Sequence, residues 1–395
     1  MSTTVRTGTS RLTAVLRGEA EQVTPLELFF DLVFVLALTQ CTALMAAEPT
    51  WTGLLKGILI LALLWWAWVG YAWLTSVVDP EEGAVRLVML AAMAAFLVAA
   101  LCVPTAFEGA GGLFAATYAA VRIAHILLFL LCSRDDPALR RSVVGLAVGT
   151  AIGTSLLVIA SFTDGPLQFA LWSVAIVLEP CGTFFFGVEG WRLSPHHFAE
   201  RHGLIIIIAL GESVVAIGVG AHEQVDAGVA VAAVIGMAVA GALWWLYFDV
   251  VALVAARRLE HAAPGRERNA IARDSFSYLH YPMVAGIVLV ALGFKKTLGE
   301  VGEPLELVPA TALLGGTALY LLAHVAFRWR NVHRFSVQRL LAAIVCVALI
   351  PAAVKLPALA TLAILAVLLG AVVVYEHARF AELRGRLRHQ LAEAH

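Results

Sequence analysis

A chain of 395 residues that is 61% hydrophobic and only 14% charged, with a mean hydropathy of +0.87, is not a string of soluble domains, which are nearer half apolar and a quarter charged. Its net charge of −1 excludes a general basic field for nucleic acid. The five cysteines, Cys41, Cys102, Cys132, Cys181 and Cys346, lie inside apolar runs without a C-x-x-C pair and read as small buried thiols.

The expected fold class is an all-α polytopic membrane protein. About twelve transmembrane helices are expected, in two six-helix pseudo-repeats, because each apolar run can cross a hydrocarbon core of roughly 30 Å. In chain order, residues 1–25 read as a cytoplasmic N-terminal segment. It carries Arg6, Arg11 and Arg17 but no apolar core, so no cleavable signal peptide is expected. Spans at 26–46, 52–75, 85–105, 113–132, 142–162 and 167–187 make the first half, 26–187. A cytoplasmic loop, 188–202, joins it to the second half, 203–377. Its spans are 203–220, 228–254, 276–294, 307–327, 338–354 and 357–376. Residues 378–395 read as a cytoplasmic amphipathic tail, with Phe380, Leu383, Leu387 and Leu391 at helical steps among arginines, or as a frayed solvated end.

The cations set the expected orientation. With the N-terminus inside, 22 of the 27 Lys and Arg residues fall on inner segments. Only Lys56, Lys295, Lys296 and Lys355 fall outside, and Arg122 lies within a span. Both termini are therefore expected in the cytoplasm and the protein in the cell membrane. An internal repeat is suggested by Leu64-Trp65-Trp66-Ala67-Trp68 against Leu243-Trp244-Trp245-Leu246-Tyr247. Asp31 and Glu212, at an offset of 181, fall one span earlier in the two halves. Six spans per half would relate the halves by an axis along the membrane normal.

A carboxylate near mid-membrane costs roughly 2.5–3.5 kcal/mol on insertion scales, so ionisable residues there are functional candidates. Glu27 and Asp31, four apart, share a helix face just after Pro25. Glu27 reads equally as a solvated end residue, and Asp31 as a structural salt-bridge partner. Glu212 lies mid-span between Gly211 and Ser213, and the missing side chain at Gly211 would let a helix, water or an ion approach. Arg122, with His125 one turn on, should meet a carboxylate. Asp31 and Glu212 are the leading partners, and the pair either counter-charges a path or simply locks two helices. Glu179 precedes Pro180 and either lines a cation path or sits protonated at a kink. Asp249 joins the path candidates. Arg201, His202, His280 and His324 are candidates for a gate or proton relay, the stretch His196–His202 being read as an inner loop of anchors or gating groups. The histidines lie on different spans without H-x-x-x-H spacing, so no metal or cofactor is expected.

Thr24-Pro25-Leu26-Glu27-Leu28-Phe29-Phe30-Asp31-Leu32-Val33-Phe34 and the block from Glu200-Arg201-His202-Gly203 to Ala209-Leu210-Gly211-Glu212-Ser213 resemble, in order and spacing, the bacterial low temperature requirement protein A family. The resemblance covers nearly the whole chain and implies a growth phenotype in the cold but no particular chemistry. A more distant likeness is to potassium channels built from two six-helix repeats. Phe29-Phe30-Asp31 stands near their Phe-Ser-Asp motif, while the second half has Gly211-Glu212-Ser213 and no arginine closely precedes Asp31. That likeness therefore implies architecture alone.

The leading functional expectation is a transporter or channel for a cation, proton or small solute. Its path would be lined by Glu27, Asp31, Glu179, Glu212, Ser213 and Asp249, with Arg122 and His125 beside it. The competing readings are a membrane-embedded enzyme or redox protein acting on lipid or quinone, and a non-catalytic membrane sensor. No nucleophile–base pair, ligand cluster or phosphate loop supports an enzyme. Expected partners are membrane lipids and the transported species, with a homo-oligomer left open.

Overall fold

The computed structural model describes residues 22–81, 83–185, 190–221, 225–381 and 385, with the side chains of 181–185 excepted. Most of the N-terminal segment, with Arg6, Arg11 and Arg17, lies outside the described residues, as do Leu383, Leu387 and Leu391 of the tail. The described chain is helical throughout. The first half comprises α1 (Pro25–Ala47), α2 (Trp51–Thr75), α3 (Gly83–Cys102), α4 (Gly111–Cys132), α5 (Pro137–Ala160) and α6 (Gly165–Phe185). The second begins with α7 (Pro195–Gly220), α8 (Ala227–Phe248), α9 (Val251–Glu260) and α10 (Arg266–Ile271). It continues with α11 (His280–Gly299), α12 (Leu307–Val332), α13 (Val337–Ala353) and α14 (Ala358–Arg379).

Among the described residues ten helical stretches are long and apolar enough to cross a membrane, fewer than the twelve expected, and α13, at 17 residues, is shorter. Leu341, Ile344 and Val347 on α13 and Val367 and Val374 on α14 stand exposed, as a lipid-facing surface would leave them. The chain is a multi-pass membrane protein.

Local sequence sets where the helices start. Thr24 and Glu27 form a reciprocal capping box ahead of Pro25. Asp136 accepts from the amides of Ala138 and Leu139 at the start of α5, and Asp226 from Val229 at the start of α8.

Two boundaries differ from the hydropathy reading. The eighth span stops at Phe248, and the chain turns at Asp249 and Val250 before α9. The seventh starts at Pro195, so His196–His202 is helix and not loop. Those first two turns are polar, which lowers their hydropathy, yet His197, Arg201 and His202 are fully buried. Arg201 is therefore a buried cation within a candidate spanning helix, as Arg122 is, and Arg339 near the start of α13 is buried as well.

The halves meet where α1 and α2 lie against α7 and α11. On α11 every side chain from Met283 to Phe294 is buried. It is entered through a π-helical turn, Ala272–Tyr278, a local widening that often marks functional positions. Two tryptophans of α2 hold that turn: Trp65 Nε1 donates to the Ser277 carbonyl at 2.8 Å and Trp73 Nε1 to the Ser277 hydroxyl at 2.9 Å.

α11 and α12 come into near backbone contact through glycines. A Cβ at Gly286 would stand 2.7 Å from the Gly316 carbonyl oxygen, and one at Gly316 2.6 Å from Leu289 Cβ. Gly286→Val should lower the melting temperature of purified protein in detergent, the forced repacking costing about 1–3 kcal/mol. Gly370→Val, where a Cβ meets nothing within 4 Å, should leave it unchanged.

Candidate functional site along the seam between the halves

α1 and α7 run parallel in a nearly constant register. Glu27 faces His197, Asp31 faces Arg201, and Thr39 faces Glu212, at sequence separations of 170, 170 and 173. The two blocks singled out in the sequence are thus the two walls of one seam.

At one end, Glu27 and Asp31 share Arg201, and all three are fully buried. Arg201 Nη2 donates to Asp31 Oδ1 at 2.7 Å. Nη1 lies 3.1 Å from Glu27 Oε1, an ionic contact without hydrogen-bond alignment. His197 Nε2 donates to the same Glu27 oxygen at 2.9 Å, while Glu27 Oε2 accepts from the Thr24 amide at 2.8 Å. Glu27 is therefore a cap and an ion-pair partner at once, and not a solvated end residue. Trp68 donates to Asp31 Oδ1 at 2.7 Å and lays its ring 5.5 Å from the Arg201 guanidinium carbon. Among the described residues, Asp31 Oδ2 and Arg201 Nε are buried without a hydrogen-bond partner. The cluster is held together but not saturated.

Towards the other end, the Thr39 hydroxyl donates to Glu212, and Thr42 faces the same carboxylate. Glu212 is 1% exposed, and among the described residues no basic side chain lies within ion-pair distance of it. The neighbouring Ser213 hydroxyl is buried without a partner among the described residues. A Cβ at Gly211 would meet nothing within 4 Å, so no helix closes in at that point. Beyond Glu212 opens a vestibule of about 580 Å³ between the ends of α1, α7, α11 and α12, lined by Ala46, Val219, Lys295, Lys296, Glu300 and Glu306. Val219 is two turns past Glu212, roughly 10 Å at 1.5 Å per residue. Between the Arg201 cluster and Glu212, the fully buried Phe34, Leu38, Ile205 and Ala209 form an apolar layer.

This register corrects the expected correspondence of Asp31 with Glu212. Asp31 stands level with Arg201, eleven residues before Glu212 on the same helix, roughly 16 Å away. Positions related by an axis along the membrane normal would share a depth, and these do not. The aromatic blocks also differ, since Trp65, Trp66 and Trp68 are buried whereas Trp244 and Trp245 are 44% and 37% exposed.

The expected partnership of Arg122 with Asp31 or Glu212 is likewise not the one formed. Arg122 Nε donates to Glu179 Oε1 at 2.7 Å and Nη2 to the Thr150 hydroxyl at 2.9 Å. Tyr118 donates to Glu179 Oε2 at 2.5 Å. The pair ties α4, α5 and α6 inside the first half, because those helices are adjacent while α1 and α7 supply each other's counter-charges. His125 lies against Tyr71 and Phe129, beside Gly70, where a Cβ would stand 2.8 Å from Arg122 Nη1 and 2.9 Å from His125 Cε1.

Of the relay candidates, His202, His280 and His324 do come together. His202 packs edge-on to Trp68 and lies 5.2 Å from the His280 ring. His280 Nδ1 donates to the Ser275 carbonyl at 2.9 Å, which leaves Nε2 of a neutral ring to accept from Tyr247 at 2.8 Å. His324 lies against Tyr247 and Tyr320. The row runs from the seam into the second half. Asp249 sits apart, at the turn between α8 and α9. The sequence reading missed Thr39, Thr42 and Trp68 as parts of the seam and had His197 only within the stretch read as anchors or gating groups.

Comparison with known proteins then bears on identity. Residues 22–374 match the family described as Bacterial low temperature requirement A protein (LtrA). The chain belongs to that family. It is also 31% identical over 306 residues to the uncharacterized protein RA0937 of Rhizobium meliloti (strain 1021), covering 75% of this chain and 74% of that one. No solved structure matches. The first of the two motif blocks of this LtrA-family chain builds the α1 wall of the seam, and the second the α7 wall.

Buried pairs make a sharp test of these assignments. Arg122→Gln should cost about 3–5 kcal/mol by stranding Glu179, and adding Glu179→Gln should recover part of that loss. Arg122→Gln with Asp31→Asn should be additive, since these sites share no partner. Melting of the single and double variants in detergent reads both cycles, and coupling of Arg122 to Asp31 would contradict the geometry.

Proposed function

We propose that this LtrA-family protein moves a proton or small cation across the bacterial cell membrane along the seam of α1 and α7, with Glu212 as the carboxylate that carries it. The observation that supports this reading most strongly is that Glu212, among the described residues, has no cation within ion-pair distance, Lys295 of the vestibule acting on it only from further off. A buried carboxylate ordinarily has a cationic partner or several strong donors. Glu212 has threonine hydroxyls instead, beside the unpartnered Ser213 hydroxyl and below an open vestibule. Oxygen ligands around a carboxylate suit a hard cation or a proton.

On this reading Arg201, Glu27, Asp31 and His197 form the closure at the opposite end, and the apolar layer above them keeps the two polar sites apart. Passage requires Arg201 to exchange partners, for which the unsatisfied Asp31 oxygen and Arg201 nitrogen provide room. The row of His202, His280 and Tyr247 flanks the closure, and His202 Nε2, without a hydrogen-bond partner among the described residues, offers an acceptor to a proton leaving it. Orientation follows the arginines: the Arg201 end is cytoplasmic, as are both termini, and the vestibule faces outward. The protein acts as a transport protein and not as an enzyme.

The test is flux of protons, potassium and sodium into liposomes bearing the purified protein. Wild type should carry one of these ions above empty liposomes. Glu212→Gln should fall to the empty-liposome rate while melting at or above the wild-type temperature, because it removes an uncompensated buried charge. Absence of flux of all three ions in folded wild type would remove the transport reading. Full flux in Glu212→Gln would remove Glu212 from it.

A further inference from the structure

The seam leaves unused a second polar cavity, at the arginine-rich end of the second half. It has about 940 Å³ of open space, including its mouth, between α9, α12, α13 and α14. Its walls are of two kinds. Val250, Val251, Val254, Val332 and Phe380 form an apolar side, and Arg328, Arg334 and Arg339 face them with one acid, Glu376.

The charges are not balanced. Arg339 is paired with the acid: Nε donates to Glu376 Oε1 at 2.8 Å, and Nη2 donates to Oε2 at 2.6 Å and to the Leu246 carbonyl at 2.9 Å. That pair neutralises itself. Arg328 reaches the Ser336 hydroxyl at 2.8 Å and lies over the Phe380 ring at 5.3 Å. Among the described residues, neither Arg328 nor Arg334 has a carboxylate within ion-pair distance. Of the other arginines at this end, Arg258 pairs with Glu267, and Arg273 and Arg330 both pair with Asp274. Two uncompensated guanidinium groups therefore converge on one amphipathic cavity.

We infer that this cavity binds the phosphate of an anionic phospholipid between Arg328 and Arg334, with the start of its acyl region along the valine wall. A basic hollow between helix ends at the arginine-rich membrane face is the setting in which anionic headgroups are held. Guanidinium suits a phosphate diester because its planar fork meets two oxygens. A free anion would use the arginines but not the apolar side. Lipid lies close by, since Phe335, Val337 and Leu341, 58%, 59% and 57% exposed, continue the apolar surface from the cavity mouth along α13. The committed Arg339–Glu376 pair fixes the floor, leaving the two outer arginines for the ligand.

The experiment uses the full-length protein in nanodiscs of phosphatidylcholine alone or with phosphatidylglycerol. Lipids retained after extraction are counted by native mass spectrometry, and melting is followed in parallel. A further arm adds inorganic phosphate to phosphatidylcholine discs at matched ionic strength. Wild type should retain phosphatidylglycerol preferentially and melt higher in its presence, with no such shift from inorganic phosphate. Arg328→Gln and Arg334→Gln should each lower the preference roughly fivefold, with melting in pure phosphatidylcholine unchanged for the exposed Arg334. Should Arg328→Gln fold poorly, Arg334→Gln alone decides. Equal retention of both lipids by wild type would overturn the proposal. So would stabilisation by inorganic phosphate alone, or an undiminished preference in Arg334→Gln.

Discussion

A charge held out of water inside a membrane has to be compensated by the protein itself, and at the centre of this molecule that compensation is the contact of Arg201 with Asp31 and Glu27. The acids stand on the first helix and the arginine on the seventh, so one buried cation ties the halves together. It also fixes how they are aligned. Once Asp31 is level with Arg201, the parallel helices bring Thr39, about two turns on along α1, to Glu212, about three turns on along α7. The depth of the carboxylate, the apolar layer beneath it and the vestibule above it all follow from that register. Lysine could not replace the arginine here, because a planar fork addresses two acids at once while the Trp68 ring lies against its face.

The distribution of compensation separates scaffold from candidate path. Arg122 with Glu179 joins α4 to α6, and Arg339 with Glu376 joins α13 to α14. Each pair is closed and each ties helices within one half. The seam is different. Its lower cluster sets two acids against one arginine and leaves polar atoms unsatisfied, and its upper acid has hydroxyls in place of a cation. Polar groups buried in an unsatisfied state are costly. Among the described residues they also occur at His125, His324 and Thr361, and what sets the seam apart is that there they belong to an ion cluster that is not closed and stand beside a carboxylate with no ion-pair partner.

Much of this arrangement could be read from the chain. Apolar runs placed the helices, although among the described residues ten stretches and not twelve are long and apolar enough to span a membrane, and the two motif blocks singled out in the chain lie on the two walls of the seam. The partners of individual charges could not be read. Hydropathy shows that Arg122 and Asp31 are buried, but their pairing depends on which helices are neighbours, and α4 touches α5 while α1 touches α7. The start of α7 was hidden for a related reason. Pro195-His196-His197-Phe198-Ala199-Glu200-Arg201-His202 scores as a polar loop, yet its polar groups are spent on Glu27 and Asp31 and the turn is buried. Thr39 and Thr42 gave no signal at all, because both can bond back to their own helix, as both also do.

The central claim is that Glu212 is a buried acid whose occupant, a proton or a cation, is exchanged during the protein's work. Infrared difference spectroscopy of the protein in liposomes observes such a group directly. The carboxyl stretch to follow is the one missing from Glu212→Gln. The account predicts that this band changes intensity when pH is stepped or when the transported cation is added. It should also respond in Asp31→Asn, whose substitution lies at the other end of the seam. A Glu212 band that stays constant across pH and across potassium and sodium additions would contradict it.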